Sequence, residues 1–388
     1  MKKLIFDIEI TGHHAEYISH LIDHIYNNKD TNEYFFIVNS NFTSKFPIIS
    51  GKAKSIKNIN FIEIELEELR SLQQLGVFKK SFVEFRLMNY YALKFNVNHV
   101  CLLYFNTFQL ACFFFRTQYT ISGILFFQFY RMNKNTFNDK LKYYRKYLTT
   151  KMYSMNPKIQ KIHILNDQNS VDFFNKEFKN GLFEMLPDPI PNLKPLDGFD
   201  IYSHYNIDQK RKIFLHIGSL GERKGTFEVI ESALNIPLKN QREVTILLVG
   251  CVLNKEDEEI VLNKIEEISI KSNVTIIWDN QFVSNSMMKS LFDQCFSVLM
   301  PYKNTEGSSG ILGHAISSQK QVIATGKGLL KELIEENNLG LLIAEVTPVL
   351  ISEKILLMLT RQLKVNGKSS ELLSSHSASI FSKKILLN

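Results

Sequence analysis

The chain has 388 residues, of which 45% are hydrophobic and 22% are charged, and its formal net charge is +7. This composition excludes a disordered or fibrous protein, and the length predicts two domains rather than one hydrophobic core. No apolar run reaches the roughly 20 residues of a membrane-spanning helix, and the N-terminal run is shorter than the roughly 7–15 residues of a secretory signal. We therefore expect a cytoplasmic protein.

Short apolar segments rich in valine, isoleucine and phenylalanine alternate with helical patterns, which is typical of α/β domains with parallel sheets. In the first half, strands are predicted at residues 3–8, 34–39, 60–64, 100–105, 120–127, 161–165 and 183–186. A long helix is predicted around residues 67–95. In the second half, the predicted strands are "KIFLHIG", "VTILLVG", "VTIIWDN", "FSVLMPY", "QVIATG" and "LGLLI". Helices are predicted after Lys224, Asn254, Ser284, Ser309, Leu329 and Thr347.

The segment "LPDPIPNLKPLDGFD" holds four prolines and one glycine, so it continues neither a helix nor a central strand. It predicts a boundary between two Rossmann-like domains, one over residues 1–193 and one over residues 194–365. Residues 366–388 are predicted to form a last helix or a tail.

The four cysteines lie far apart, without a CxxC pair or a histidine cluster at metal-ligand spacing; they are Cys101, Cys112, Cys251 and Cys295. This pattern indicates reduced, buried thiols rather than disulfides or a zinc site. Asp7 and Glu9 have the spacing of an acidic metal clamp, but they end a strand of the first domain and favour a metal only weakly.

Three strand-to-helix turns carry small or polar residues, as the ligand-binding edge of an open α/β sheet does. They contain Gly12, His13 and His14; Gly218, Ser219, Gly221, Arg223, Lys224 and Gly225; and Glu306, Ser308, Ser309, Gly310 and His314. A glycine in such a turn lets the backbone approach a ligand closely, and the following helix N-terminus favours an anion. Taken alone, each turn also fits a tight connection with capping residues.

Two of these turns carry charges that indicate a ligand. Arg223 and Lys224 are adjacent cations between glycines, which suits a diphosphate. Because the helix dipole disfavours cations at a helix start, a ligand explains the two charges better than a solvated charge pair does. Glu306 ends an apolar strand before Gly-Ser-Ser-Gly, where a carboxylate could hold sugar hydroxyls while backbone N–H groups hold phosphate. The alternative for Glu306 is a helix-capping glutamate.

The second half resembles the donor domain of the retaining GT-B glycosyltransferases, close to glycosyltransferase family 4. "GSLGERKG" matches the family's glycine-cation-Lys-Gly turn, and the spacing from Glu306 to His314 matches its two glutamates separated by seven residues. "QVIATGKGLLKELI" matches the strand and turn that follow. The resemblance is close over residues 212–345 and only architectural over residues 1–193. It implies two Rossmann-like α/β domains facing a central cleft, the first binding the acceptor and the second the nucleotide sugar.

The resemblance also implies roles for single residues. Lys224 would grip the donor diphosphate and Glu306 the transferred sugar, as the two catalytic residues. The other implied donor-binding residues are Gly218, Ser219, Arg223, Ser308, Ser309, Gly310 and His314.

Three positions depart from the family pattern. Ser219 stands where the family has arginine, and Arg223 would supply the missing charge. His314 stands where the second glutamate binds the ribose. Gln128 replaces a histidine often seen after the fifth strand, so Gly12, His13 and His14 become the expected acceptor-side residues, although His13 and His14 equally fit a plain surface position.

The positive charge is concentrated between Arg131 and Lys161, where nine lysines and arginines accompany Asp139 alone. One helical face of this segment carries Leu141, Tyr144, Leu148 and Met152. A helix on an anionic membrane, a nucleic-acid patch without a recognition motif, and a helix whose apolar stripe packs inside all fit this pattern. We favour the membrane, since it suits a transferase acting on a lipid-linked glycan, and expect no nucleic acid as partner.

The resemblance implies a glycosyltransferase that uses a nucleotide-sugar donor, retains anomeric configuration, and needs no metal or other cofactor. The implied setting is surface polysaccharide assembly on a glycan or polyprenyl-linked acceptor, at the inner face of the plasma membrane. The enzyme alternative is a nucleotide-sugar 2-epimerase of the same architecture. A non-catalytic nucleotide-binding relative remains open because of Ser219 and His314.

Overall fold

Two parallel sheets organise the chain in the computed structural model, which describes residues 1–126, 128–303, 309–360 and 368–387. The side chains of Gln73 and of residues 368–370 are not part of this description. The first unit comprises Met1–Asp188 and Ser377–Asn388, and the second comprises Pro189–His376. The predicted catalytic residue Glu306 and the predicted phosphate-binding residue Ser308 lie outside the described residues.

In its described part, the first unit has a seven-stranded parallel sheet with the strand order β3-β2-β1-β4-β5-β6-β7. The strands are β1 (Lys2–Asp7), β2 (Glu33–Val38), β3 (Ile59–Glu63), β4 (His99–Leu102), β5 (Thr120–Leu125), β6 (Ile159–Leu165) and β7 (Phe183–Leu186). The helices are α1 (His14–Asn27), α2 (Phe42–Lys45), α3 (Pro47–Lys54), α4 (Leu66–Gln73), α5 (Val77–Lys94), α6 (Gln109–Phe114), α7 (Phe137–Ser154) and α8 (Gln168–Phe178), with a 3₁₀ turn at Phe105–Thr107.

The second unit has a six-stranded parallel sheet over the residues described, with the order β10-β9-β8-β11-β12-β13. Its strands are β8 (Lys212–Ile217), β9 (Val244–Val249), β10 (Thr275–Asp279), β11 (Ser297–Met300), β12 (Val322–Thr325) and β13 (Gly340–Ile343). Its helices are α9 (Ile201–His204), α10 (Thr226–Glu231), α11 (Leu238–Gln241), α12 (Lys255–Lys271), α13 (Asn285–Gln294), α14 (Gly310–Ser317), α15 (Gly328–Asn337), α16 (Pro348–Thr360) and α17 (Lys368–Ser375), with 3₁₀ turns at Glu222–Lys224 and Ser232–Asn235.

Helices cover both faces of each sheet, so the strands are apolar on both sides. In β1, Leu4 and Phe6 belong to one core cluster, whereas Ile5 belongs to the cluster on the other face. Burial on both faces explains why the strands are continuous apolar runs rather than alternating patterns. The predicted α/β fold class is confirmed, and all thirteen predicted strands are present.

The prediction of one long helix over residues 67–95 is wrong. The chain forms α4 and α5 instead, and Gly76 precedes α5 in an extended conformation. Glycine has more backbone freedom to lose than other residues, so a helix breaks readily there.

The C-terminal end of the chain is shared between the two units. The proline-rich segment contains both the predicted boundary at residue 193 and the observed division after Asp188. Within the region predicted as a last helix or tail, α17 belongs to the second unit, whereas a further helix, α18 (Ala378–Leu386), joins the first. The ring of Phe381 lies 4.6 Å from that of Tyr17, so this helix completes one of the two cores of the first unit.

The cysteines follow the prediction with one exception. All four thiols are free, and Cys101, Cys112 and Cys295 are buried. Burial raises the pKa of Cys101 and of Cys295 to about 12, so these thiols stay protonated. Cys251 is only half-buried, because the chain leaves β9 at Gly250.

Candidate functional site

The strand orders place one candidate site in each unit. The order reverses between β1 and β4 in the first sheet and between β8 and β11 in the second. In open parallel sheets, ligands bind at the carboxyl ends of the strands that flank such a reversal. The turn after β1 and the turns after β8 and β11, which the sequence singles out, therefore lie at the two expected positions.

The turn after β8 is held in one conformation by a buried hydrogen-bond chain. The Gly221 N–H donates to Thr226 Oγ1 at 2.9 Å, and this hydroxyl lies 3.0 Å from His216 Nε2. The other ring nitrogen of His216 lies 2.9 Å from the carbonyl oxygen of Leu299. Burial lowers the pKa of His216 to about 4, so the imidazole is neutral and bridges the turn to β11.

Lys224 lies in this turn with its side chain folded over the end of β8. A Cβ on Gly218 would come within 3.8 Å of Lys224 Nζ, so the ammonium lies beside the predicted ligand-binding glycine. Lys224 is only 9% exposed, whereas the neighbouring Arg223 is exposed and Ser219 is half-buried. Of the two adjacent cations, Lys224 is therefore the one built into the site.

Tyr302, which follows β11, provides the surface on which Lys224 rests. Lys224 Nζ lies 3.8 Å from the centre of the Tyr302 ring, and Tyr302 is 5% exposed. This residue is not predictable from the sequence, since an aromatic side chain after a buried strand has no distinctive pattern.

Lys303 pairs with two carboxylates of the neighbouring turn and helix. Its Nζ lies 2.8 Å from Glu228 Oε1 and 3.4 Å from Glu222 Oε1. Partial burial lowers the pKa of Lys303. The hydrogen bond to Glu228 and the negative charges of Glu228 and Glu222 raise this pKa by more, so it lies above its ordinary value. Lys303 therefore stays charged and pairs with both carboxylates, more closely with that of Glu228.

The turn after β11 leads into α14, which begins at Gly310 with Ser309 preceding it. Both residues are half-buried. His314 is 7% exposed, and its ring stacks on that of Phe292 with the centres 5.3 Å apart. The structure thus places His314 in the packing between α13 and α14, and its predicted contact with a ribose stays a prediction.

In the first unit, His14 begins α1 and reaches back to the end of β1. Its Nδ1 lies 2.8 Å from Asp7 Oδ2, and the rings of Tyr104 and Phe126 each lie 5.7 Å from the imidazole. Burial lowers the pKa of His14, but the hydrogen bond and charge of Asp7 outweigh it and leave this pKa above its ordinary value. Asp7 therefore orients a buried imidazole at the reversal point of the first sheet.

Gly12 and His13 are less enclosed than His14. Gly12 is exposed and has a φ of 65°, a conformation that glycine adopts without strain. His13 Nδ1 lies 3.1 Å from Glu16 Oε2, and this hydrogen bond raises the pKa of His13. Of the three predicted acceptor-side residues, His14 is the one that joins a buried polar pair.

A cavity of about 490 Å³ lies next to this pair, at the carboxyl ends of β1 and β2. Its polar lining consists of Glu9, Thr11, Asn39, Asn41, Lys45 and Lys80. Lys80 Nζ lies 3.8 Å from Glu9 Oε1, so the positive charge of Lys80 and the negative charge of Glu9 offset each other within the lining. Amide, carboxylate and ammonium groups in one cavity provide both donors and acceptors for hydroxyl groups.

The folds of the two units match those of solved GT-B glycosyltransferases. The structure of a glycosyltransferase from Rickettsia africae aligns over 100% of this chain and 99% of its own, with a TM-score of 0.69 and 16% identity. HepE from Anabaena, in complex with UDP and glucose, aligns over 99% of this chain and 97% of its own, with a TM-score of 0.64 and 16% identity. WaaG, a glycosyltransferase involved in lipopolysaccharide biosynthesis, aligns over 100% of both chains, with a TM-score of 0.62 and 13% identity.

A comparison of the sequence with family models gives a second, independent likeness. Residues 200–371, which lie within the second unit, match the family model of the glycosyl transferases group 1. None of the curated proteins compared with the chain matches it. The resemblance inferred from the sequence is confirmed for the GT-B fold and this family model, and both support glycosyl transfer as the activity. Membership of glycosyltransferase family 4 itself stays a prediction.

Proposed function

We propose that the protein transfers a sugar from a nucleotide-sugar donor, bound by the second unit, to a glycan or lipid-linked glycan acceptor, bound by the first. The observation that carries this proposal is the buried ammonium of Lys224 beside Gly218, at the reversal point of the second sheet. The family match over residues 200–371 supports it, as does the UDP bound to HepE. The link to surface polysaccharide is supported by the fold shared with WaaG.

The chemistry follows from where the charge develops. As the bond between the sugar and the diphosphate breaks, negative charge grows on the leaving diphosphate. An ammonium placed beforehand in a site with little water stabilises this charge more than the smaller charge of the ground state. Lys224 would supply this stabilisation without a metal ion, and Glu306 would orient the sugar.

We further propose that transfer retains the anomeric configuration. In that case the acceptor hydroxyl attacks the face from which the diphosphate leaves, and a diphosphate oxygen takes its proton. His14, oriented by Asp7, and the cavity lined by Glu9 and Asn39 would position the acceptor. The product's anomeric configuration, read by NMR, tests this part of the proposal.

A donor panel tests the proposed function directly. We expect one nucleoside diphosphate among UDP, GDP, ADP and dTDP to raise the Tm of the full chain, and the matching nucleotide sugar to be hydrolysed slowly without acceptor. Interconversion of the free nucleotide sugar would instead indicate a 2-epimerase. Nucleotide binding with neither reaction would indicate a non-catalytic relative.

An exposed apolar surface on α7 supports a lipid-linked acceptor. On α7, Phe137, Leu141, Tyr144 and Leu148 are 81%, 60%, 58% and 55% exposed and lie at helical spacing on one face. Met152, the fourth residue of the predicted stripe, is half-buried, so three of its four residues face outward and the stripe as a whole does not pack inside. The buried face of α7 carries Tyr143, Thr150 and Tyr153 instead.

The same surface extends onto neighbouring helices. Asn156 Nδ2 donates to the carbonyl oxygen of Cys112 and so joins the end of α7 to α6. Phe114, at the end of α6, is exposed and lies 5.9 Å from Phe82 of α5, one turn after the exposed Phe78. In α5 and α7 together, the acidic residues are Glu84, which is buried, and Asp139, which caps α7. Nine lysines and arginines accompany them.

Exposed aromatic and leucine side chains among basic residues fit an anionic bilayer, where the rings enter the headgroup layer and the cations meet lipid phosphates. Across the described ranges, no helix is long and apolar enough to span a bilayer. We therefore propose peripheral binding at the inner face of the plasma membrane, through the surface formed by α5, α6 and α7.

Reversing three exposed charges of α7, in Lys140→Glu, Lys142→Glu and Arg145→Glu combined, is expected to abolish flotation with phosphatidylglycerol vesicles. Each basic residue near such a surface contributes about 1 kcal/mol, so the loss exceeds about 100-fold in partitioning. The matched control reverses three exposed lysines of the second unit, Lys210, Lys239 and Lys255, and is expected to float like the parent. Equal flotation of the α7 variant and the parent would contradict the proposal.

A further inference from the structure

The turn after β8 and the segment after β11 are joined at the reversal point of the second sheet. The Lys303 N–H donates to the carbonyl oxygen of Arg223 at 3.0 Å. Gly225 approaches Pro301 so closely that a Cβ would lie 2.2 Å from the Pro301 carbonyl oxygen. The position of Lys224 therefore depends on residues 301–303 as well as on its own turn.

The ring of Tyr302 holds the ammonium of Lys224 without neutralising it. A ring face attracts a cation through its quadrupole but carries no net charge. With Nζ 3.8 Å from the ring centre and both side chains buried, the ammonium is oriented while its full charge remains for a ligand. A carboxylate in the same place would have cancelled that charge.

The neighbouring carboxylates are paired elsewhere. Glu222 and Glu228 both lie within salt-bridge distance of Lys303 Nζ. Among the residues that the structure describes, no carboxylate lies within 4.0 Å of Lys224 Nζ. Glu228 Oε2 is buried and has no hydrogen-bond partner within the same described part, so the carboxylate depends on Lys303 for its neutralisation.

We infer that Tyr302 and Lys303 are positioning residues of the diphosphate site, the first holding the Lys224 ammonium by its ring and the second keeping Glu222 and Glu228 from pairing with it. The inference rests on the proposed function, because it concerns the nucleoside diphosphate that the second unit binds. Its consequence is specific: these residues set the affinity for the diphosphate group and leave the affinity for the nucleoside unchanged.

The experiment measures Kd by calorimetry on the full chain, with UDP, uridine and inorganic pyrophosphate as probes. For Tyr302→Leu we expect about tenfold weaker binding of UDP and pyrophosphate, with uridine unchanged. For Tyr302→Phe, which keeps the ring, we expect all affinities within about twofold of the parent. Unchanged UDP affinity in Tyr302→Leu, or an equal loss for UDP and uridine, would overturn the role of the ring.

The role of Lys303 is tested by a second substitution that is expected to restore the lost affinity. This test does not depend on Tyr302→Leu, so it remains available if that variant fails to fold. Lys303→Gln is expected to weaken UDP and pyrophosphate binding about tenfold, since it leaves the Glu228 carboxylate without its cation in the helix that directly follows the Lys224 turn. Adding Glu228→Gln is expected to restore both affinities to within about threefold of the parent. Absence of the loss, or of the rescue, would overturn the inference.

The parent protein separates this inference from the proposed function. If the parent binds UDP or pyrophosphate and the variants behave like it, only the inference fails. If the parent binds no probe and no nucleotide of the donor panel, the proposed function fails and the inference with it.

Discussion

Replacing Lys224 by alanine is expected to lower kcat/KM for sugar transfer by about 100-fold or more. A charge-assisted hydrogen bond contributes roughly 1.5–3 kcal/mol, and the leaving diphosphate carries more charge in the transition state than in the donor. We therefore expect most of the loss in kcat rather than in KM. The measurement is initial-rate kinetics with the donor identified by the panel.

Lys239→Ala removes an equally charged but exposed lysine of the same unit and serves as the control. It is expected to retain parental kinetics. Near-normal turnover of Lys224→Ala would show that the diphosphate is held elsewhere, and the candidate donor site would then be wrong.

The second large effect is expected for Gly250→Ala. Gly250 directly follows β9 and lies outside the three turns, after β1, β8 and β11, that are predicted to bind a ligand. Gly250 has a φ of 128°, and a Cβ there would lie 2.0 Å from the Gly218 carbonyl oxygen. Both groups are backbone, so the clash cannot be relieved by a rotamer change. The backbone strain and the forced displacement together are expected to lower the free energy of unfolding by about 3 kcal/mol or more. Thermal unfolding of the full chain measures this loss.

Gly51→Ala is the matched control, because Gly51 lies within α3 and a Cβ there would meet nothing within 4 Å. Alanine favours a helix over glycine by about 0.5–1 kcal/mol, so the Tm is expected to stay equal or to rise slightly. A Tm of Gly250→Ala equal to that of the parent would contradict the close approach of Gly250 to Gly218.

The sequence alone identified the fold, because strands buried on both faces are mostly apolar and alternate with helices. The segment "VTILLVG" shows this, since all six residues of β9 are buried. The sequence also located the turns after β1, β8 and β11, since small and polar residues cluster directly after those three strands.

Contacts between segments distant along the chain could not be read from the sequence. Lys224 and Tyr302 are 78 positions apart, and only the adjacency of β8 and β11 brings the ammonium onto the ring. The partnership of Asp7 with His14 likewise depends on how α1 turns back over the end of β1. A pattern of single residues carries no information about which strand ends meet.

The direction in which a helix faces was also left to the tertiary structure. The periodicity of α7 revealed a stripe containing Leu141 and Leu148, but a second apolar face containing Tyr143 and Tyr153 competes with it for the core. The ring of Tyr143 packs edge-on against Phe129 and that of Tyr153 packs edge-on against Phe105, so these rings take the inward position and the leucines face solvent. The sequence therefore determined the elements, the order of the turns and the excess of positive charge. The packing of side chains against one another decided which lysine is buried, which imidazole is paired and which face of α7 is exposed.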